Sequence, residues 1–247
     1  PDGLVMAELT NVVKEFDLRH TRSIKEYIVW WATGRRGQLS DNFNALDDVS
    51  FTITQGESVA LLGFNGSGKS TTLKLVSGVM LPDSGSVRVR GRIAGLIEVG
   101  AGMHPDLTGR ENVYLNGAIL GLSEQQVDER FDSIVAFSGI EKFIDTEVKF
   151  YSSGMYMRLA FAVAVHTDPD LFLVDEVLAV GDEPFQRKCI AKMKELRAAG
   201  QTLMVVSHDL ELIKDICERG IVLEHGRVVH DAPIVEAVDF LRSSMSD

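Results

Sequence analysis

Three short runs are apolar without interruption: SVALL before Gly63, LFLV before Asp175-Glu176, and LMVV before Ser207-His208-Asp209. Continuous rather than alternating hydrophobicity predicts strands buried on both faces, as in a parallel sheet with helices on each side. Chemistry in such sheets gathers at the carboxyl ends of the strands. Here those ends carry a glycine loop, an acid pair and a Ser-His-Asp. Two other segments, AELTNVVKEF (residues 7–16) and ALDDVSFTIT (45–54), alternate and predict antiparallel strands. GSVRVRGRIAGLI (85–97) does the same after the turn signal LPDSGS. Residues 109–164 read as mostly helical, with breaks at Gly121-Leu122-Ser123 and Ser152-Ser153-Gly154. APIVEAVDFLRSSM predicts a last helix with Pro233 near its start.

Composition narrows the function classes. The chain has 247 residues, 45% hydrophobic and 25% charged, enough for one large domain or two small ones. A formal net charge of -11 argues against bulk nucleic-acid binding as the main task. Cys189 and Cys217 have neither metal-site nor disulfide spacing and read as reduced thiols of a cytosolic protein. No apolar run approaches the roughly 18 residues needed to span a bilayer, and no signal peptide is visible. Any action at a membrane is then expected from the cytoplasmic side and through a partner.

GFNGSGKS (residues 63–70) fits G-x-x-x-x-G-K-[ST] between an apolar run and a helix-forming stretch. Glycines let backbone N–H groups converge on phosphate oxygens, and a helix N-terminus favours the same anion. Gly63, Asn65, Gly66, Ser67, Gly68, Lys69, Ser70 and Thr71 are therefore expected to cradle the phosphates of a nucleoside triphosphate, which leaves kinases, GTPases and helicases open. Lys69 would reach the β- and γ-phosphates, and Ser70 would offer its hydroxyl to Mg2+. Asp175 is placed to hold Mg2+ beside the phosphates. Glu176 is placed to polarise an attacking water as general base. His208 is placed to sense the γ-phosphate, with Asp209 continuing the polar cluster.

YSSGMYMRLAFAVAV, lying between the lysine loop and the acid pair, resembles the signature motif of ATP-binding cassette (ABC) ATPases. The order of elements from Val59 to Gly226 matches that family. Its usual Leu-Ser-Gly-Gly-Gln stands here as Tyr151, Ser152, Ser153, Gly154 and Met155. The resemblance implies an α/β fold: a P-loop NTPase with a RecA-like parallel sheet core, an antiparallel β-subdomain and a helical signature subdomain. It implies one ABC domain, with core and β-subdomain at about 1–98 and 166–230, helical subdomain at about 99–165 and a C-terminal helix at about 232–244. It also implies a head-to-tail dimer with a second copy, in which the signature of one chain closes over ATP held by the other. LAVGD, with Ala179, Gly181 and Asp182, resembles the loop that contacts the opposite subunit. Glu98 stands where the family usually has Gln, a further candidate near Mg2+ or the attacking water. Phe16 matches the family's adenine-stacking position, with Phe43 as the alternative across an insertion.

That insertion, about Asp17 to Asn44, places Ile24, Tyr27, Ile28 and Trp31 on one helical face and carries local positive charge. Such a segment suits a membrane interface, a membrane subunit or a cover for the protein's own β-subdomain. EVGAGMHPDLTGREN, FYSSGMYMRLAFAVA and DEVLAVGD together resemble exporters of O-antigen, teichoic acid and similar lipid-linked glycans. The resemblance implies an ATPase at the cytoplasmic face of the membrane with a membrane-spanning transporter subunit. The chain ends soon after Leu241, which leans toward an exporter that reads no terminal cap on its glycan. The rival readings are a soluble ABC-type regulator and a metabolic kinase.

Overall fold

The three continuous apolar runs form neighbouring parallel strands: β3 (Ser58–Leu62), β6 (Leu171–Asp175) and β7 (Leu203–Val206). The computed structural model describes residues 3–18, 41–95, 102–175 and 182–244. With β5 (Ile93–Gly95), β8 (Arg219–Glu224) and β9 (Arg227–Pro233) they make a six-stranded sheet ordered β5-β6-β7-β3-β8-β9. All neighbours are parallel except β8 and β9.

Burial on both faces explains the lack of alternation. Ala60, Leu62, Phe172, Val174, Leu203 and Val205 point into one core. That core is completed by α5 (Glu183–Ala198), α6 (Leu210–Ile216) and α7 (Ile234–Ser243), through residues such as Met193, Ile213 and Val238. The intervening Val59, Leu61, Leu171, Leu173, Met204 and Val206 point into a second core. There they meet Leu73 and Val76 of α1 (Lys69–Val76) and the inner face of a small antiparallel sheet.

The small sheet consists of β1 (Val5–Leu18), β2 (Asp41–Thr54) and β4 (Ser84–Val89), ordered β2-β1-β4. The alternating segments therefore form antiparallel strands as expected, with one correction. Only the first half of GSVRVRGRIAGLI is antiparallel. After Gly91 the chain turns away, and β5 lies parallel to β6 in the large sheet. The switch is anchored by Asp170, whose carboxylate accepts the Arg92 N–H at 2.6 Å. The Asp170 N–H returns a bond to the Arg92 carbonyl at 2.8 Å.

Between the sheet strands β5 and β6, α2 (Gly109–Ile119), α3 (Glu124–Ser138) and α4 (Ser153–Ala164) enclose a third core around Val113, Ile134, Leu159 and Val163. Capping boxes start the first two helices, Thr108 with Glu111 and Ser123 with Gln126. Gly139 ends α3 in the left-handed conformation. The break expected at Ser152-Ser153-Gly154 is corrected. It falls earlier, over residues 139–152 with two short 3-10 turns, and Ser153 and Gly154 already belong to the first turn of α4. The far half of α4 is buried all round: Phe161 and Ala164 face the first core, while Leu159 and Ala162 face the third.

Cys189 and Cys217 are both buried and free, and burial pushes each thiol up to about 12, so both stay protonated at neutral pH. Among the described residues no helix is long and apolar enough to cross a membrane. The insertion residues Ile24, Tyr27, Ile28 and Trp31 lie outside the described residues.

Candidate functional site

The phosphate loop runs from the end of β3 at Leu62 to the start of α1 at Lys69. Gly68 is the helix cap, at φ 108. A Cβ there would lie 2.7 Å from the Ala45 carbonyl oxygen and 2.5 Å from Leu46 Cδ2. Gly226, at φ 76 in the β8–β9 turn, meets the same stretch of β2 from another direction, with an added Cβ 2.8 Å from the Ala45 oxygen. Glycine is thus required at both positions by conformation and by space. The Gly226 N–H donates to the Ser67 carbonyl at 3.1 Å, and its carbonyl accepts from the Asp47 N–H at 2.8 Å. The Arg227–Asp47 ion pair at 2.6 Å reinforces the join. The β8–β9 turn therefore rivets the phosphate loop to β2. Gly226→Ala is expected to cost roughly 1–3 kcal/mol of stability through strain at this φ. It should also weaken nucleotide binding, read by thermal unfolding and calorimetric titration.

Lys69 is almost fully buried, and its Nζ donates to the Gly63 carbonyl at 2.7 Å and the Phe64 carbonyl at 2.9 Å. The ammonium is therefore held inside the curve of the loop, where an anion would sit. Ser67 Oγ is buried and has no hydrogen-bond partner among the described residues. A spare hydroxyl in an amide-lined curve at a helix N-terminus fits a phosphate group.

A cavity of about 230 Å3 opens over this loop. It brings together the expected Phe16, its alternative Phe43, and Asn65, Gly66, Gly68, Lys69, Ser70 and Thr71, and adds Ala45. Phe16 and Phe43 are not alternatives in space. They are direct partners across β1 and β2, and both line the cavity. Gly63 lines an adjoining cavity of about 210 Å3 together with Asn65, Ser207 and His208. His208 follows β7, which pairs directly with β3, so it faces the loop's flank. Asp175 closes β6 one strand further over, opposite Val206. Asp209 is the N-cap of α6, accepting from the N–H groups of Glu211 and Leu212 at 3.1 and 3.0 Å.

Glu98, Glu176, Ala179 and Gly181 lie outside the described residues. Asp182 caps α5 by accepting from the Phe185 N–H at 3.3 Å, and it pairs with Arg158 of α4 at 2.5 Å. Burial acts to raise its pKa, but the bonds from Arg158 and Phe185 outweigh that and hold the carboxyl below its usual range. The Tyr151 hydroxyl donates to the Phe143 carbonyl at 2.7 Å. Ser152 caps α4 by accepting the Met155 N–H at 3.2 Å. Ser153 is exposed, and Met155 packs on the helical core. None of residues 151–155 lines the cavity over the phosphate loop.

Sequence reasoning missed Ala45, Asp47 and Gly226. The glycine at 226 is a turn residue, but the contact of this turn with β2 joins residues far apart in sequence, with Arg227 bonded to Asp47 across 180 positions.

A glycine cradle between a buried parallel strand and a helix, with acid and histidine on the neighbouring strand ends, defines a P-loop nucleotide-binding protein. Within that class the chain belongs to the ABC transporter family, which residues 46–179 match. It is 41% identical over 239 residues to the O-antigen export system ATP-binding protein RfbB of Klebsiella pneumoniae, covering 96% of this chain and 97% of that one. It is 44% identical over 233 residues to the RfbB protein of Myxococcus xanthus, covering 92% of this chain and 53% of that one. The teichoic acids export ATP-binding protein TagH of Listeria monocytogenes is 41% identical over 224 residues, covering 91% of this chain and 66% of that one. The chain thus spans about half to two thirds of the length of the last two. A dimeric ATP-binding cassette bound to ADP and Pi in a post-hydrolysis state superposes with a TM-score of 0.72 at 25% identity, covering 93% of this chain and 99% of that one.

Proposed function

We propose that this chain is the ATP-hydrolysing subunit of an exporter of lipid-linked polysaccharide. It would act at the cytoplasmic face of the cell membrane, as a head-to-tail pair, with a membrane-spanning partner. The relatives named for O-antigen and teichoic acid export support the substrate class. The dimeric cassette with ADP and Pi supports the pairing.

One observation carries the composite site. The cavity gathers aromatic and phosphate-loop groups from a single chain, and the 151–155 stretch is not among its lining residues. That stretch begins a helix, and Gly154 there has no internal need to be glycine. An added Cβ would meet only Ser152 Oγ, at an ordinary 3.8 Å. In a helix glycine is less favourable than alanine by up to about 1 kcal/mol. Close approach by a second molecule supplies the missing reason.

In this reading Lys69 leaves the Gly63 and Phe64 carbonyls for the β- and γ-phosphates of ATP. Ser70 and Asp175 would hold Mg2+, which supplies charge neutralisation across those phosphates. Ser152 and Gly154 of the second copy would seal the γ-phosphate from the far side. Glu176 takes the proton of a water as its oxygen attacks the γ-phosphorus, and the bond to the β–γ bridging oxygen breaks to give ADP and phosphate. His208 would hold the γ-phosphate in place. Loss of the γ-phosphate removes the shared anion and lets the pair reopen.

Gly154→Ala separates the two parts of this account. It is expected to leave the melting temperature unchanged or slightly raised while cutting ATPase activity at least tenfold. Full activity would count against the sealing role. For the substrate, loss of the protein from the cell should leave an undecorated lipid-linked glycan accumulating inside. Unchanged surface glycan would exclude export.

A further inference from the structure

Tyr151 stands where the ABC family usually has leucine, directly before the Ser152 cap of α4. Building on the shared-site reading, we propose that Tyr151 is a positioning residue: its hydroxyl, seated over Gly109 and bonded to the Phe143 carbonyl, sets where Ser152 and Gly154 stand against the ATP of a second copy. Leucine can form no such bond, so the role belongs to this tyrosine and not to the family's usual motif.

Three stretches of chain meet at the ring. The Tyr151 hydroxyl donates to the Phe143 carbonyl at 2.7 Å. That carbonyl also accepts the Thr146 N–H at 2.9 Å, which fixes the acceptor. The ring packs on the third core. The last stretch is the start of α2. A Cβ added at Gly109 would collide with the Tyr151 hydroxyl oxygen and lie 3.0 Å from the Ile144 carbonyl oxygen. Backbone conformation does not ask for glycine there, because the φ of Gly109 lies outside the left-handed region. Glycine also weakens a helix relative to alanine. The hydroxyl supplies the reason, since it takes the room that a side chain would need.

Main-chain bonds hold this seat. The Gly109 N–H donates to the Thr146 carbonyl at 3.1 Å, the Arg110 N–H to the Ile144 carbonyl at 2.8 Å, and the Val148 N–H to the Leu107 carbonyl at 2.9 Å. Residues 143–148 are thus stitched to the start of α2, and Tyr151 ties the end of the same loop into the stitching. The tip that follows is at the surface. Ser152 and Ser153 are exposed, and Ser152 accepts from the Met155 and Tyr156 N–H groups of its own helix. The anchor one residue earlier therefore decides where the tip points. Burial and the Asp145 carboxylate push the phenol above its usual pKa, so the hydroxyl remains a donor at neutral pH.

The test uses the full chain in its Glu176→Gln form, where MgATP-driven pairing is read without turnover, with Y151F, G109A or both added. Light scattering over a series of chain concentrations gives the pairing midpoint. Calorimetric titration below that midpoint gives the MgATP affinity of the single chain. Y151F keeps the ring and removes the hydroxyl. It is expected to raise the pairing midpoint about three- to tenfold, the range for one neutral hydrogen bond, and to lower kcat to a similar extent in the chain that keeps Glu176. Single-chain MgATP affinity should not change, because Tyr151 is not among the residues lining the cavity over the phosphate loop. A merely structural role would lower the melting temperature and leave the pairing midpoint of the folded chain where it was. G109A should displace the hydroxyl and raise the midpoint at least as much as Y151F. Added to Y151F it should cost little more, because loss of the hydroxyl opens room for the Cβ. An unchanged midpoint in Y151F overturns the positioning role, whether or not G109A folds. Equal cost of G109A with tyrosine or phenylalanine at 151 overturns the seat. Absence of MgATP-driven pairing in the Glu176→Gln form that retains Tyr151 would instead sink the shared-site reading, and the positioning role with it.

Discussion

Lys69→Ala is expected to lower MgATP affinity at least a hundredfold and to remove measurable ATP hydrolysis. The ammonium sits in the curve of the loop on the Gly63 and Phe64 carbonyls, at 2.7 and 2.9 Å. A hydrogen bond to a charged group contributes about 1.5–3 kcal/mol, and two phosphate contacts from one ammonium account for the hundredfold. The substitution also leaves two loop carbonyls without that donor, so some loss of folding stability is expected. Lys69→Met keeps more of the side-chain volume and separates the two effects. If the Met form binds MgATP as the unaltered chain does, at equal melting temperature, the lysine does not hold the phosphates.

Glu176→Gln should do the opposite to binding. ATP affinity is expected to be retained, because the carboxylate is assigned to the water and not to the nucleotide. Turnover should fall about a thousandfold, within the 10²–10⁴ range that a positioned general base contributes. Asp175→Asn differs in kind, because the residue at the end of β6 is assigned to Mg2+. That change should weaken the Mg2+ dependence of binding as well as the rate. Quench-flow phosphate release with parallel nucleotide titration reads both. Hydrolysis at the normal rate in the Gln form would refute the assigned base.

Much of the fold was legible because burial leaves a direct imprint on sequence. VALL, LFLV and LMVV read as continuous apolar runs because successive side chains enter two different cores, Ala60 one way and Leu61 the other. The glycine loop was legible because phosphate binding demands glycine and lysine at fixed spacing. Pairing partners were not legible. Alternation in GSVRVRGRIAGLI shows that residues face opposite sides, not which strand lies alongside. The turn at Gly91 and the Asp170–Arg92 bonds send its second half into the parallel sheet. Helix starts were misjudged for a related reason. Ser and Gly read as a break, yet Ser152 is a cap and Gly154 lies inside the first turn of α4.

The site was legible to the same depth. Phe16 and Phe43 stood as alternatives because a long insertion separates them in sequence, and only the register of β1 against β2 makes them partners. Gly226 carried a turn signal, but its grip on Ala45 and Ser67 depends on how the two sheets meet. Asp182 was expected at a subunit contact, and the structure shows it capping α5 and holding Arg158 of α4. Those bonds tie the start of α5 to α4.

The sharing of ATP between two copies is tested most directly by the mass and nucleotide content of the Glu176→Gln form. Light scattering with bound-nucleotide quantification would be run with and without MgATP. MgATP should double the 27.2 kDa mass and leave two ATP molecules per pair. A particle that stays at the mass of one chain while saturated with ATP would contradict the shared site.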